Sequence, residues 1–166
     1  MKKCLLFLLF ITAMDISAQT PATKKPTTTI TKIELDFLGA AGSYLKTANE
    51  QGMRVAKAMA GAANGTSTLT EIKAAFTAAI RVENAGYAGD YKARIKGNIP
   101  TSSASIASNV DETHRLFQAA LREYLEYWKD QNTAHINSGA ATLKRCTLLM
   151  NKTIDTTTAK MKELSK

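Results

Sequence analysis

The sequence predicts an all-α protein: an antiparallel, up-down-up-down four-helix bundle whose helices run about 30 residues each. Three observations carry that prediction. Apolar residues recur at steps of three and four through four successive stretches, the spacing of one face of a helix. The stretches are matched in length, about 45 Å at 1.5 Å per residue. The connections between them are short, which makes sequential neighbours antiparallel. No alternating strand pattern competes with the helical one.

The chain opens MKKCLLFLLFITAMDISAQ. Lys2 and Lys3 precede an apolar run over residues 4–14, and Ile16, Ser17 and Ala18 offer small residues to a signal peptidase, with cleavage between Ala18 and Gln19. The run is about half of the roughly 20 residues that a membrane-spanning helix needs. Residues 1–18 therefore read as a cleaved export signal and not an anchor, and the mature chain as a soluble periplasmic or extracellular protein. Cys4 directly follows the lysines, too early for the acylated cysteine of a lipoprotein signal. Its removal leaves Cys146 as the only thiol, so no internal disulfide can form and stability must come from a core. Residues 19–29, QTPATKKPTTT, have almost nothing to bury and read as an extended tether. The bundle is expected over residues 30–166.

The first helix is expected over 31–63. Thr31 and Glu34 have capping-box spacing, and Ile30 and Leu35 are placed for a hydrophobic staple. The stripe runs Phe37, Ala41, Tyr44 with Leu45, Ala48, Gly52, Val55, Met59 and Ala62, and Asn64 with Gly65 ends it. A second capping box, Thr68 with Glu71, starts a helix over 68–97. Its stripe is Leu69, Ile72, Phe76, Ala79 with Ile80, Glu83, Tyr87, Tyr91 and Ile95. Gly86 and Gly89 weaken its second half, where a kink or break is expected. Gly97 and Pro100 stop it.

The third helix, over 102–130, carries Ile106, Val110, His114, Phe117, Leu121, Tyr124 with Leu125, and Trp128 on one side. The polar run DQNT at 130–133 is the turn. The fourth helix, over 134–165, has the most regular stripe: Ile136, Ala140, Leu143, Thr147, Met150, Ile154, Thr157, Met161 and Leu164, a heptad seam. Its spare alanines would also suit pairing of helices between chains, so a homo-oligomer stays open.

The stretch DETH places Asp111 and His114 three apart, on one face of the third helix. Dinuclear bundle sites need that spacing on two helices and further glutamates on the other two. Here the pair stands alone, so no metal site is expected. Cys-x-x-Cys-His is absent, as are the nucleophile elbow, the Walker loop, HExxH and the Rossmann glycines. Glu123 and Glu126 lie beside Arg122 and Lys129 and read as a salt-paired, solvated face. The expectation is a non-enzyme with no cofactor. Two sparse alternatives remain. Met59 and His135 fall at the same end of the bundle as a pair of axial haem ligands would, and Cys146 with Met150 share a face that could take Cu(I). Ordinary packing explains both pairs as well.

Counting heights along the bundle brings Tyr44, Glu83, Tyr87, His114 and Thr153 to one level. Such a polar layer either lines a small-molecule pocket or is satisfied internally and fixes register; the second is the more ordinary outcome. His114 then takes a packed or boundary position while Asp111 and Glu112 face solvent. The formal charge is +8 at pH 7, and basic residues gather at the lower end. Lys92, Arg94, Lys96, Lys160, Lys162 and Lys166 converge there with Lys32, partly offset by Glu34, Asp36, Asp90 and Glu163. That end suits an anionic partner such as lipid headgroups or acidic polysaccharide. Nucleic acid is not favoured, because no aromatic residues interleave with the patch. At the upper end Trp128 reads as a core cap, and Tyr127 beside it marks a candidate partner patch. The function expected is an exported, non-catalytic helical bundle that binds a protein partner or an anionic surface. The alternative is a small-molecule or haem carrier.

Overall fold

A computed structural model describes residues 29–166, with side chains from residue 32 onward. Residues 1–18, read above as an export signal, and nearly all of residues 19–29, read as a tether, lie outside the described residues. Helix α1 spans Thr29–Ala63. Its backbone is already helical at Thr29, so Thr31 sits inside the helix and not at its cap, and the capping box expected there is not what Glu34 joins. The Glu34 carboxylate is buried and accepts hydrogen bonds from the Ser102 and Ser103 hydroxyls while pairing with Lys160 at 2.8 Å. The apolar stripe packs inward as its spacing requires: Phe37, Leu38, Ala41, Tyr44, Leu45, Ala48 and Val55 are all buried. Gly65, at φ 70°, ends the helix in the left-handed region.

Helix α2 spans Leu69–Ala85 and begins with the capping box read from the sequence. Thr68 N–H donates to Glu71 Oε2 at 2.7 Å, and Glu71 N–H donates to Thr68 Oγ1 at 3.3 Å. Within the stretch where a kink or break was expected, the regular α-helix ends at Ala85 and the chain widens into a π-helical segment over Gly86–Ala93. Gly86 is pressed against α1 at the point where the widening begins: a Cβ there would lie 3.0 Å from Thr47 Cγ2. A π turn carries one extra residue and shifts the face that follows it. Tyr91 is thereby buried in the lower core, and Tyr87 lies half-buried above it. Lys96 and Gly97 both take positive φ, 45° and 78°, and end the helical run.

After Pro100 a 3-10 turn over Thr101–Ser103 leads into α3, Ala104–Asp130. Gln131 at φ 60° closes α3. Asn132 then caps α4, Thr133–Leu164, its side chain accepting from Ala134 N–H at 3.0 Å. The turn is thus confined to two residues. Among the described residues there is no strand, and no helix is long and apolar enough to cross a membrane.

The four helices form the antiparallel bundle. The start of α1 meets the start of α3 and the end of α4 through Glu34, Ser103 and Lys160. The start of α4 meets the end of α3, where a Cβ on Gly139 would lie 3.1 Å from the Tyr124 ring and 3.2 Å from the Ala120 carbonyl oxygen. The most extensive helix pair is α3 with α4, followed by α1 with α2 and its π extension. The heptad seam read on α4 packs inward: Met150 and Thr157 are buried and Ile136, Ala140, Leu143, Thr147, Ile154, Met161 and Leu164 are half-buried. Gly139, Cys146 and Thr153, which that seam did not include, complete the buried line.

The core divides in two. A lower cluster gathers Phe37, Tyr44, Leu45, Tyr91, Ile95, Ile106 and Val110, with Met150 from α4. An upper one gathers Val55, Ile72, Phe76, Leu116, Phe117, Leu121, Tyr124 and Cys146. Besides Glu34 and Ser103 at the lower end and Thr157 on α4, the buried polar residues form a belt of Gln51 on α1, Glu83 on α2, Thr113 and Gln118 on α3, and Thr153 on α4.

Candidate functional site

Glu83 is the centre of this polar belt. Its neighbours at i−4 and i−7, Ala79 and Phe76, are core residues, so helical spacing carries the carboxylate inward and leaves it with no exposed surface. A carboxylate taken out of water must be compensated. Two helices supply three donors. Tyr44 Oη donates to Glu83 Oε1 from α1, and Gln118 Nε2 donates to Glu83 Oε2 from α3. His114 Nδ1, also from α3, lies 2.9 Å and 3.1 Å from the two carboxylate oxygens. Both oxygens are occupied.

The π-helical segment supplies the other wall. The Tyr87 ring stacks on the His114 ring at 3.8 Å with an interplanar angle of 3°, and meets the Tyr44 ring edge-on at 5.5 Å. Tyr87 Oη donates to Asp111 Oδ1 at 2.9 Å. Lys92 reaches the same carboxylate at 2.9 Å and 3.0 Å and lies 5.2 Å from the centroids of the Tyr87 and Tyr91 rings. Asp111 was expected to face solvent. Its side chain does keep 44% of its surface exposed, against 35% for Glu112, but it is also tied to two side chains of the π segment, while Glu112 pairs with Arg115. The two ends of DETH therefore serve different partners: Asp111 holds Tyr87 and Lys92, and His114 holds Glu83.

Burial sets the acid–base character of the belt. The Tyr44 phenol is pushed far above its ordinary value, first by burial and then by the Glu83 charge. Tyr91 is raised by burial, with Asp111 adding to it. The Cys146 thiol, buried beside Thr113, is pushed up to about 12, mainly by loss of water. These groups hold their protons across the neutral range.

Of the five residues read as one level, Tyr44, Glu83, Tyr87 and His114 form one cluster. Thr153 is buried, but its hydroxyl donates to the Leu149 carbonyl of its own helix at 2.7 Å and takes no part in the cluster. Gln118 and Asp111 are the members that sequence reading missed. Each lies one turn from His114, on either side, and that spacing was the signal that could have found them. The cluster is packed and hydrogen-bonded, with its rings in contact.

Cys146 and Met150 border a cavity of about 20 Å³ between Gly52 and Phe117, room for a single water. His135 has Glu123 on Nδ1 at 2.7 Å and Asp130 on Nε2 at 3.1 Å, which holds its pKa up, first through the Glu123 hydrogen bond. Met59 packs on the upper core. Both imidazole nitrogens of His135, read with Met59 as a candidate haem-ligand pair, are thus engaged by carboxylates. Among the described residues no group of three or more His, Cys, Asp or Glu side chains is placed to hold a metal ion. Trp128 caps the upper core, its ring edge-on to Phe76 at 5.0 Å, and Tyr127 beside it is half-buried.

The basic end divides into committed and free cations. Lys92 is paired with Asp111 and Lys160 with Glu34. The Lys160 ammonium in turn holds the Glu34 carboxyl below its usual range, helped by Ser102. Lys32, Arg94, Lys96, Lys162 and Lys166 are exposed and make no ion pair among the described residues. Arg94 borders a depression of about 100 Å³ formed with Ile33, Asp36, Phe37, Ile95 and Asn98.

No protein-family model matches the chain, and comparison with curated proteins and with solved structures returns no significant match.

Proposed function

We propose that the chain is an exported helical bundle that works by binding and not by catalysis, and that its basic end docks on an anionic surface or partner. The observation that carries this reading is the set of exposed cations at that end: Lys32, Arg94, Lys96, Lys162 and Lys166 have no carboxylate partner among the described residues. The chemically richest residues point the same way. Glu83 spends both oxygens on Tyr44, His114 and Gln118, so the belt is occupied with holding the helices together. Lys24 and Lys25 shortly precede α1 in sequence and add positive charge to the segment entering at that end. Export to the periplasm or the cell exterior rests on the signal-like residues 1–18. The carrier reading would require a ligand to displace a belt side chain from Glu83.

The test is binding of the exported protein to anionic and neutral matrices as salt rises. Screening shortens the Debye length from about 10 Å at 0.1 M to about 3 Å at 1 M, so binding through this end should fall steeply. Arg94→Ala with Lys96→Ala should reproduce the loss at low salt. Retention that ignores both salt and these substitutions would sink the reading.

A further inference from the structure

We propose that the anionic surface is a phospholipid bilayer, and that Ile33 and Ile99 enter its interfacial region while Lys32, Arg94 and Lys96 engage the phosphates. This rests on the docking reading above and names its target.

The basic end carries exposed apolar surface as well as charge. Ile33 and Ile99 are 42% and 40% exposed. They come from different elements, the first turn region of α1 and the loop after the π segment. Ile33 lines the depression with Arg94, and Ile99 directly follows Asn98, which also lines it. Lys32 and Lys96 flank the pair in sequence. Singly exposed aliphatic side chains are ordinary on a protein surface; what sets these two apart is that each lies within three residues of an unpaired cation, Lys32 or Lys96. A bilayer interface uses both kinds of group: apolar ones are buried at the acyl boundary while lysine and arginine meet the headgroups. An acidic polysaccharide answers the charge and leaves the isoleucines in water.

The backbone is bent to achieve this placement. Ile95 is buried, and a continued helix would carry the next apolar residues along the core. Lys96 at φ 45° and Gly97 at φ 78° instead turn the chain through two successive left-handed residues. Asn98 N–H closes on the Ile95 carbonyl at 2.7 Å and Ile99 N–H on the Gly97 carbonyl at 3.0 Å, so the turn is internally held with Ile99 outward. Left-handed geometry is costly for a lysine and is kept where the surroundings require it. Leu148, 63% exposed on α4 away from this end, provides the control for general surface hydrophobicity.

The experiment uses the exported chain, its N-terminus verified by mass, with three probes: vesicles of phosphatidylglycerol and phosphatidylcholine, vesicles of phosphatidylcholine alone, and heparin. Ile33→Ser with Ile99→Ser should weaken binding to the anionic vesicles by about tenfold or more, since apolar burial at the interface is lost. Heparin retention and thermal unfolding should stay unchanged, and Leu148→Ser should bind vesicles like the parent. Tryptophan placed by Ile99→Trp should be quenched by brominated acyl chains, while Trp128 at the opposite end is not. Anionic-vesicle binding that survives the double serine substitution, or falls equally with Leu148→Ser, overturns the insertion while leaving charge-driven docking in place. Retention on heparin without vesicle binding overturns it in favour of polysaccharide. Failure to bind any anionic probe removes both this inference and the reading beneath it.

Discussion

Two residues of one polar belt, Glu83 and Thr113, are both fully buried and have opposite consequences for stability. Glu83 gathers three donors from two other helices. Truncating it strands Tyr44 Oη in the interior, where an unmet donor keeps its desolvation cost, and takes one acceptor from His114 Nδ1 and from Gln118 Nε2, which keeps the Ile80 carbonyl at 3.2 Å. An unmet buried hydrogen-bonding group typically costs about 1–3 kcal/mol, so Glu83→Ala should lower the unfolding free energy by at least that order in urea denaturation. Glu83→Gln should recover part of it by keeping one acceptor oxygen. Thr113 is different: its Oγ1 has no hydrogen-bond partner among the described residues, and only its backbone carbonyl is used, by Cys146. Replacing an unpartnered hydroxyl by a methyl of the same shape removes a cost without leaving a cavity. Thr113→Val should therefore hold or raise stability, by up to about 1 kcal/mol. A loss as large as that of Glu83→Ala would show that the belt does not behave as its hydrogen bonds indicate.

At the scale of the element, two glycines test how the helices approach one another. Gly139 lies where α4 crosses α3, and a Cβ there would meet the Tyr124 ring at 3.1 Å and the Ala120 carbonyl oxygen at 3.2 Å. The carbonyl belongs to a packed helix and cannot yield alone. Gly139→Ala should cost about 1–3 kcal/mol through overpacking, despite the better helix propensity of alanine. Gly89, in the π-helical segment, has nothing within 4 Å of such a Cβ. Gly89→Ala should gain about 0.5–1 kcal/mol by lowering backbone entropy in the unfolded chain. Thermal unfolding of the pair should shift in opposite directions. What was legible in the sequence follows the same division between local and crossing interactions. The stripes of α1 to α4 and the Thr68–Glu71 capping box depend on neighbours three and four apart, so spacing alone reveals them. The π segment was legible only as weakness at Gly86 and Gly89, because its form depends on how closely Gly86 meets Thr47 across the helix pair. On α4 the heptad count found Met150, Thr157 and the half-buried flank but missed Gly139, whose burial depends on close approach to Tyr124 and Ala120 of α3, and with it Cys146 and Thr153. Glu83 and His114 were found by height, but Gln118 and Asp111 were not, since which turn-neighbour bonds across depends on side-chain direction. The cap at Thr31 was misplaced because Glu34 answers to Ser102, Ser103 and Lys160, all distant in sequence.

For the whole molecule these groups combine into one pH profile. On the acid side, Lys160 and Ser102 depress the Glu34 carboxyl below its ordinary 4.5. A depressed carboxyl contributes stability that is present above the unfolded value and lost as pH falls through the folded one, because the unfolded chain then binds the proton more readily. The bond between α1, α3 and α4 at the lower end should loosen below about pH 4.5. On the alkaline side the sign reverses. Tyr44, Tyr91 and Cys146 have raised values, so the folded state keeps protons that the unfolded state gives up. Their contribution is complete below the unfolded values, 9.0 for the thiol and 10.0 for the phenols, and erodes as pH climbs above them. His135 adds a smaller term of the same sign: its raised value stabilises below 6.5 and fades as pH rises through its folded value. Unfolding midpoints recorded across pH should thus trace a plateau bounded by a shallow acid shoulder and a steep alkaline fall. The fall should coincide with the first reaction of Cys146 with a thiol reagent, and with the first tyrosinate absorbance from Tyr44. Lys160→Met should abolish the acid shoulder and leave the alkaline edge untouched, since Lys160 does not touch Tyr44, Tyr91 or Cys146. A Cys146 thiol that reacts freely at pH 8 in the folded protein would contradict this account, for the two buried cores meet at that level and admit the reagent only when the helices part.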